Sequence, residues 1–285
     1  MRVVVLGAGL MGAQIGVEYA LGGHEVVLVA RDTDAALGRA EAALALLLEH
    51  GLRTHEDVAA ARSRLAVGSE PRAAAGVDLV VESLPEDLAL KTGVLRDALV
   101  AAPTAIVATN TSSFSITTLG EAIGVPEQTV GTHYLNPPLL MPPVEVIAGA
   151  ATSDETVAFA RDTISSLGKL PVLVRRDVPG FVWNRLQFAL VRECAWLVEH
   201  GVVAAEDVDT VMREGLARRW RRVGPLRSIA LGGIETWARS GRNIVPELST
   251  ATELPDLARL AIVDGDLDAI VAERDAALAK ELAPR

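Results

Sequence analysis

Met1-Arg-Val-Val-Val-Leu-Gly-Ala-Gly-Leu-Met-Gly12 is the stretch whose reading decides the fold. Val3 to Leu6 is short, apolar, mostly β-branched and ends at glycine, the pattern of a buried parallel strand. Gly7, Gly9 and Gly12 follow at G-x-G-x-x-G spacing, and Ala13 to Leu21 continues as a helix. Each glycine answers a different constraint. Gly7 makes a tight turn, Gly9 lets a pyrophosphate approach the backbone, and Gly12 lets the helix lie close on the strand. With Leu10 and Met11 in the first helical turn, unpaired N–H groups and partial positive charge face the phosphates. A second strand at Glu25–Val29 follows, so the stretch reads as a dinucleotide site rather than an ordinary strand–helix turn.

Composition narrows the class. The chain has 285 residues, 50% apolar and 22% charged, enough for one large globular domain or two modest ones. A net charge of −10 argues against nucleic acid or an anionic membrane surface as partner. The single cysteine, Cys194, rules out an internal disulfide and fits a small apolar residue on a helix in a reducing compartment. No apolar run approaches the roughly 18–20 residues that span a bilayer, and the N-terminal apolar stretch breaks at Gly7. A cytoplasmic protein is expected.

Outward from the glycine turn, strand and helix alternate. Helix one stops at Gly22-Gly23, strand two covers Glu25 to Ala30, and a long Ala- and Leu-rich helix starts near Asp32 and ends near His50-Gly51. Thr54 to Arg64 reads as a short helix, Asp78 to Val81 as a buried strand with Glu82 at its end, and Glu86 to Val100 as a helix. Ala105 to Ala108 is the next strand, carrying Thr109-Asn-Thr-Ser-Ser113. This alternation predicts a doubly wound parallel sheet of Rossmann type, with ligands at the strand ends. Gln128 to Leu135 and Pro143 to Ile147 are short strands bracketing a proline-rich turn. A helix over Thr152 to Leu167 and a strand over Pro171 to Val174 complete the pattern. After Asp177-Val-Pro-Gly180 everything reads as helix, including Phe181 to His200, Ala205 to Leu216 and Leu267 to Leu282. The expected division is a dinucleotide-binding domain over 1–176 and an all-helical substrate and dimerisation domain over 177–285.

Of five histidines, His24, His50, His55 and His200 sit in turns or polar helical stretches. His133 differs, lying in the apolar strand Val130-Gly-Thr-His-Tyr-Leu135 just before Asn136-Pro137-Pro138. Twelve residues on, Glu145 lies in the equally apolar Pro143-Val-Glu-Val-Ile147, where a carboxylate needs a partner. Two strands joined by a short turn bring such residues together. The pair is then either a general acid/base or a structural ion pair, and spacing does not choose. No metal-ligand cluster stands out.

The chain resembles the 3-hydroxyacyl-CoA dehydrogenase family over essentially its whole length. The matching stretches are Gly7-Ala-Gly-Leu-Met-Gly12, Glu82-Ser-Leu-Pro-Glu86 with Lys91, and Thr109-Asn-Thr-Ser-Ser113. They continue with His133-Tyr-Leu-Asn-Pro137, Val144-Glu-Val146 and Asp177-Val-Pro-Gly-Phe-Val-Trp-Asn-Arg185. The resemblance implies that His133 is the catalytic acid/base and Glu145 its orienting carboxylate. It places Ser112 and Asn184 on the reacting oxygen or nearby substrate groups, with Asn136 beside them. Glu82 and Lys91 would lie along the nicotinamide half of the cofactor, near Asn110 at the strand end. The implied chemistry is hydride transfer between nicotinamide and a carbinol carbon, with His133 exchanging the hydroxyl proton.

Two departures from the CoA pattern set the finer expectations. Ala30-Arg31 stands where an acid would hold the ribose hydroxyls, so NADP(H) is expected over NAD(H), Arg31 pairing with the 2′-phosphate. Asp32 or Asp34 reaching the ribose is the competing reading. Residues 41–51, Glu-Ala-Ala-Leu-Ala-Leu-Leu-Leu-Glu-His-Gly, lack the lysines that suit a CoA phosphate. The segment Gly215-Leu-Ala-Arg-Arg-Trp-Arg-Arg-Val-Gly-Pro225 resembles the branch of lambda-crystallin, L-gulonate 3-dehydrogenase and L-carnitine dehydrogenase, which act on free hydroxy acids. Arg219, beside Trp220, is the expected carboxylate clamp, with a solvated basic face of Arg218, Arg219, Arg221 and Arg222 as the competing reading; Ala217 departs from that branch's second glycine. The leading expectation is a dehydrogenase of small 3-hydroxy or 3-oxo acids that forms a homodimer through its helical domain. The alternatives are the same chemistry on a CoA or carrier-bound thioester, and a non-catalytic cofactor-binding protein of the crystallin kind.

Overall fold

The computed structural model describes residues 1–255 and 266–282. Its first half alternates strand and helix. The elements are β1 (Arg2–Leu6), α1 (Leu10–Leu21), β2 (Glu25–Val29), α2 (Thr33–Glu49), α3 (His55–Ser63), β3 (Leu65–Gly68), β4 (Leu79–Glu82) and α4 (Leu88–Ala101). Then come β5 (Ile106–Thr109), α5 (Ile116–Ile123), β6 (Thr129–Tyr134), β7 (Pro143–Ala148), α6 (Asp154–Ser166) and β8 (Leu170–Val174). One sheet of eight strands has the order β3-β2-β1-β4-β5-β6-β7-β8. Strands β1 to β6 are mutually parallel; β7 runs antiparallel to β6, and β8 is parallel to β7. β1 lies between β2 and β4, so successive crossovers leave it in opposite directions and open a crevice at the carboxyl ends of the strands.

Alternation along β1 divides the core. Val3 and Val5 pack with Ile15, Leu28 and Leu44 on one face, whereas Val4 and Leu6 pack with Val80, Leu95 and Leu119 on the other. These four β1 side chains, Val3 to Leu6, are fully buried, the condition for a strand covered on both faces.

Two elements depart from the sequence reading. β3 is a four-residue edge strand, Leu-Ala-Val-Gly, too short and too poor in strand formers to announce itself; pairing with β2 creates it. α5 has eight residues including two threonines and Gly120, so its local helix preference is weak. Ser115 starts it by accepting the Thr118 N–H (3.1 Å), and Gly124 ends it at φ +83°.

The chain divides into two compact units, Met1–Val182 with Asp268–Arg285, and Trp183–Leu267. The second unit is helical: α7 (Trp183–Glu199), α8 (Ala205–Thr210), a π-helical turn (Val211–Ala217), α9 (Arg218–Val223), α10 (Pro225–Gly232) and α11 (Ile234–Ile244). The final helix, α12 (Leu267–Leu282), groups with the sheet unit from Asp268 onward. Among the described residues of the second unit only Ala195, Ser228 and Ser249 are buried. Leu186, Phe188, Leu226, Leu231 and Ile234 are each more than half exposed.

Packing at the glycine turn yields a pair of contrasting expectations. A Cβ on Gly12 would stand 1.9 Å from the Gly7 carbonyl oxygen, whereas one on Gly9 meets nothing within 4 Å. Gly12→Ala is therefore expected to lose about 1–3 kcal/mol in urea unfolding. Gly9→Ala should lose less than about 1 kcal/mol, the difference between glycine and alanine as a helix cap.

Candidate active site

The antiparallel turn between β6 and β7 sets His133 directly opposite Glu145. Residues so paired project from the same face of the sheet, within reach of each other. The His133 Nδ1 to Glu145 Oε2 distance is 2.7 Å, and the residues are 5% and 3% exposed. Glu145 Oε1 accepts the Val182 N–H at 2.8 Å. The chain reaches that point through Phe181, whose backbone sits at φ +48° and whose ring lies 5.6 Å from the imidazole. On the other side of the ring, Nε2 is 3.1 Å from Ser112 Oγ. A carboxylate on Nδ1 keeps the neutral ring's proton on that nitrogen and leaves the Nε2 lone pair toward Ser112. That is the geometry of a general base, and the same carboxylate stabilises the imidazolium once a proton is taken.

The loop joining β6 to β7 is held from below. It begins at exposed Asn136, joined to Pro137 by a cis peptide. Lys169, 8% exposed, donates to the carbonyls of Pro138 (2.7 Å), Met141 (3.2 Å) and Leu139 (3.3 Å), and pairs with Glu18 of α1 at 3.2 Å. Neither residue stood out in the sequence, because the carbonyls lie about thirty positions from the lysine and carry no side-chain signature.

A second polar chain runs along the ends of β4 and β5. Glu82 and Lys91, 0% and 1% exposed, form a 2.7 Å ion pair. Glu82 also accepts the Leu84 N–H (2.6 Å) and the Thr109 hydroxyl (2.6 Å), and Lys91 donates to the Leu84 carbonyl (3.0 Å). Lys91 reaches Glu86 at 3.1 Å as well. Glu86 in turn accepts the Ser112 N–H (2.6 Å), the Thr111 hydroxyl (2.8 Å) and the Ser113 N–H (3.1 Å). Partial burial works to raise the Glu86 pKa, but the Ser112 amide, the Lys91 charge and the Thr111 hydroxyl outweigh it and hold the carboxyl below its ordinary range. Glu82 and Lys91 are thus enclosed and tie down the two loops after β4 and β5. Asn110 accepts the Tyr134 N–H at 2.8 Å, linking β5 to the residue after His133.

At the glycine turn, Gly7 sits at φ +94°, with Ser83 O 2.5 Å from the position a Cβ would take. The open space over Gly9 lies at the N-terminus of α1, room of the kind a pyrophosphate needs. At the end of β2, Ala30 is half-buried and Arg31 exposed. Asp32 is engaged locally, its carboxylate accepting the Ala35 N–H (2.9 Å) to start α2. The residues present fit a dinucleotide. The remaining sequence candidates stand on the second unit. Asn184 is in the first turn of α7; Arg219 is exposed on α9, beside half-buried Trp220, whose indole N–H has no hydrogen-bond partner among the described residues.

The Glu82–Lys91 pair is directly testable. Lys91→Met would leave the buried Glu82 carboxylate without its counter-charge, at an expected cost of about 3–5 kcal/mol. Adding Glu82→Gln should recover part of that loss in guanidinium unfolding; equal stability of wild type and Lys91→Met would show the pair to be dispensable.

Comparison with known proteins gives this geometry a family. Residues 2–178 match the family described as "3-hydroxyacyl-CoA dehydrogenase, NAD binding domain", and residues 180–258 match its C-terminal domain. The chain is 38% identical over 261 residues to 5-formyl-3-hydroxy-2-methylpyridine 4-carboxylate 5-dehydrogenase of Mesorhizobium japonicum, covering 89% of this chain and 82% of the relative. It is 36% identical to L-carnitine dehydrogenase of Streptomyces coelicolor, over 82% of this chain and 74% of that one. A crystal structure of a 5-formyl-3-hydroxy-2-methylpyridine 4-carboxylic acid 5-dehydrogenase, described as an NAD+ dependent dismutase, is 31% identical. It superposes with a TM-score of 0.88 over 98% of this chain and 96% of its own. The chain belongs to the 3-hydroxyacyl-CoA dehydrogenase family, nicotinamide-dependent oxidoreductases acting on hydroxyl-bearing carbon.

Proposed function

We propose that the protein moves a hydride between nicotinamide and the hydroxyl or oxo carbon of a small free hydroxy acid, with His133 and Glu145 as its acid/base dyad. The observation that carries this is the 2.7 Å Glu145 contact on Nδ1, which leaves Nε2 as the proton-exchanging atom beside Ser112. The bound cofactor supplies the hydride acceptor or donor. His133 takes the substrate hydroxyl proton in oxidation and returns it in reduction. Ser112 holds the reacting oxygen, and its own position is set by Glu86 through the Ser112 amide. Asn136 and Asn184 are assigned to neighbouring substrate groups, and Arg219 with Trp220 to the carboxylate.

The substrate class is supported from two directions. The relatives above are named for a pyridine carboxylate and for carnitine, both free acids. On this chain, α2 carries a single basic residue, Arg39, and residues 41–51 carry neither lysine nor arginine, so a CoA phosphate has no basic run to meet there. A thioester substrate is the second reading, favoured by the family description and by similar proteins named 3-hydroxybutyryl-CoA dehydrogenase. The intact set of His133, Glu145, Ser112 and Asn184 argues against a purely structural role.

NADP(H) is the proposed preference, because Ala30 removes the acid that repels a 2′-phosphate while Asp32 is committed to its helix cap. The solved relative is described as NAD+ dependent, so a comparison of the two cofactors on the wild type decides. A homodimer through the helical unit is the proposed assembly: three buried residues are no core, and the exposed leucines, Phe188 and Ile234 need an apolar partner. No helix among the described residues is long and apolar enough to cross a membrane. We place the protein in the cytoplasm on its lone, unpaired cysteine.

The reading is checked with a panel of small 3-hydroxy acids and their thioesters, each offered with both cofactors. On the substrate so found, His133→Gln should bind cofactor normally and lose roughly 10²–10⁴-fold in kcat. A kcat near that of the wild type would sink the dyad assignment. For the cofactor, Ala30→Asp combined with Arg31→Gln should move the Kd ratio toward NAD(H); a wild type that already binds NADH more tightly than NADPH refutes the preference.

A further inference from the structure

Arg39 was not among the residues the sequence singled out, and the function described above does not use it. It lies on the second turn of α2, itself exposed but beside the buried Ala36, Ala40 and Ala43. Its guanidinium reaches back 31 residues and donates from Nη1 to the carbonyl oxygen of Ala8 at 3.3 Å. Ala8 is the residue between Gly7 and Gly9. Among the described residues this carbonyl is the one partner the structure gives Arg39, although a guanidinium has five N–H donors. Arg62, on the neighbouring helix, shows what an arginine finds when an acid is at hand: Glu41 takes its Nε and Nη2 at 2.7 and 2.5 Å. Glu41, the acid nearest Arg39 in sequence, is engaged with Arg62, Asp32 caps α2, and Asp34 in the first turn of α2 makes no ion pair with Arg39. An exposed arginine is thus tethered by one carbonyl at the lip of the glycine turn.

α2 begins at the end of β2, and Arg39 spans from it to the glycine turn. In a doubly wound fold that is where the adenosine ribose lies, between the end of the second strand and the first glycines. A single neutral carbonyl at 3.3 Å tethers the side chain and leaves most of its planar fork for an anion, and phosphate oxygens are what such a fork matches best.

We propose that Arg39 is a phosphate-binding residue of the dinucleotide site, holding an oxygen of a phosphate on the adenosine ribose. This rests on the nicotinamide-cofactor reading and deepens it. That ribose carries a 5′-phosphate in both cofactors and a 2′-phosphate in NADP alone; the chemistry is the same, and binding separates the two.

The experiment is calorimetric titration of the full-length protein, without substrate, by NADP+, NAD+, 2′,5′-ADP, 5′-ADP and adenosine. Arg39→Met keeps an aliphatic stem and should leave the melting temperature unchanged. It is expected to weaken NADP+ at least 10-fold and to leave adenosine as in the wild type. Loss confined to NADP+ and 2′,5′-ADP assigns the 2′-phosphate, and a matching loss for NAD+ and 5′-ADP assigns the 5′-phosphate. Arg39→Lys should regain part of the affinity as a point charge. Undiminished binding of every phosphorylated ligand, or an equal loss for adenosine, overturns the proposal. Should the wild type favour NAD+, the NADP(H) preference fails by itself, while Arg39 stands or falls on the NAD+ and 5′-ADP titrations.

Discussion

The buried Glu82–Lys91 pair is the contact on which the functional edge of the sheet depends. Taking both charges out of water is costly, and their mutual attraction offsets that cost only when the other hydrogen-bonding positions are also filled. Here they are filled by groups that matter for the site: the Leu84 amide and carbonyl, the Thr109 hydroxyl and the Glu86 carboxylate. The pair therefore does more than link β4 to α4. It determines where the loops after β4 and β5 run, and through Glu86 it positions the backbone N–H of Ser112. Ser112 then meets His133. An electrostatic constraint at the floor of the crevice is passed, bond by bond, to the atom proposed to exchange a proton.

The reversal of strand direction at β7 is the second constraint. Six parallel strands supply a crevice, but parallel neighbours need a crossover between them and rarely bring two nearby residues face to face. A hairpin does so directly, and its register is decisive. A slip of one residue would send Glu145 to the opposite face of the sheet and leave His133 without a carboxylate. Lys169 guards that register from outside the hairpin by gathering three carbonyls of its loop, and Glu18 neutralises it from α1. Burial raises the Glu18 carboxyl above its ordinary range, and the Lys169 charge offsets only part of that rise.

The helical unit follows different physics. The sheet unit buries β1 on both faces, whereas the helical unit leaves large apolar side chains in solvent along α7, α10 and α11. Helices shorter than about 12–15 residues have little stability of their own in water and depend on tertiary burial. α8 to α11 are all shorter than that, and little of their apolar surface is buried within the unit.

What the sequence determined by itself was whatever rests on near neighbours. The three glycines are legible because each constraint, a turn, a close approach and a helix packed on its own strand, acts within a few residues of the chain. The long strand–helix alternation is legible because burial on both faces writes a local apolar run. β3 and α5 were not legible, since each is short and exists because a neighbour pairs or packs with it. His133 and Glu145 each stood out as polar residues in apolar strands, yet spacing left open whether they were a dyad or a structural pair. Only the tertiary structure decided that Nδ1 takes the carboxylate and Nε2 faces Ser112, 21 residues away. Glu86, Lys169 and Arg39 were invisible for the same reason. Each has a backbone partner 26 to 31 residues distant, and a peptide N–H or C=O is the same at every position until folding brings one particular copy within 3 Å or so of a charge.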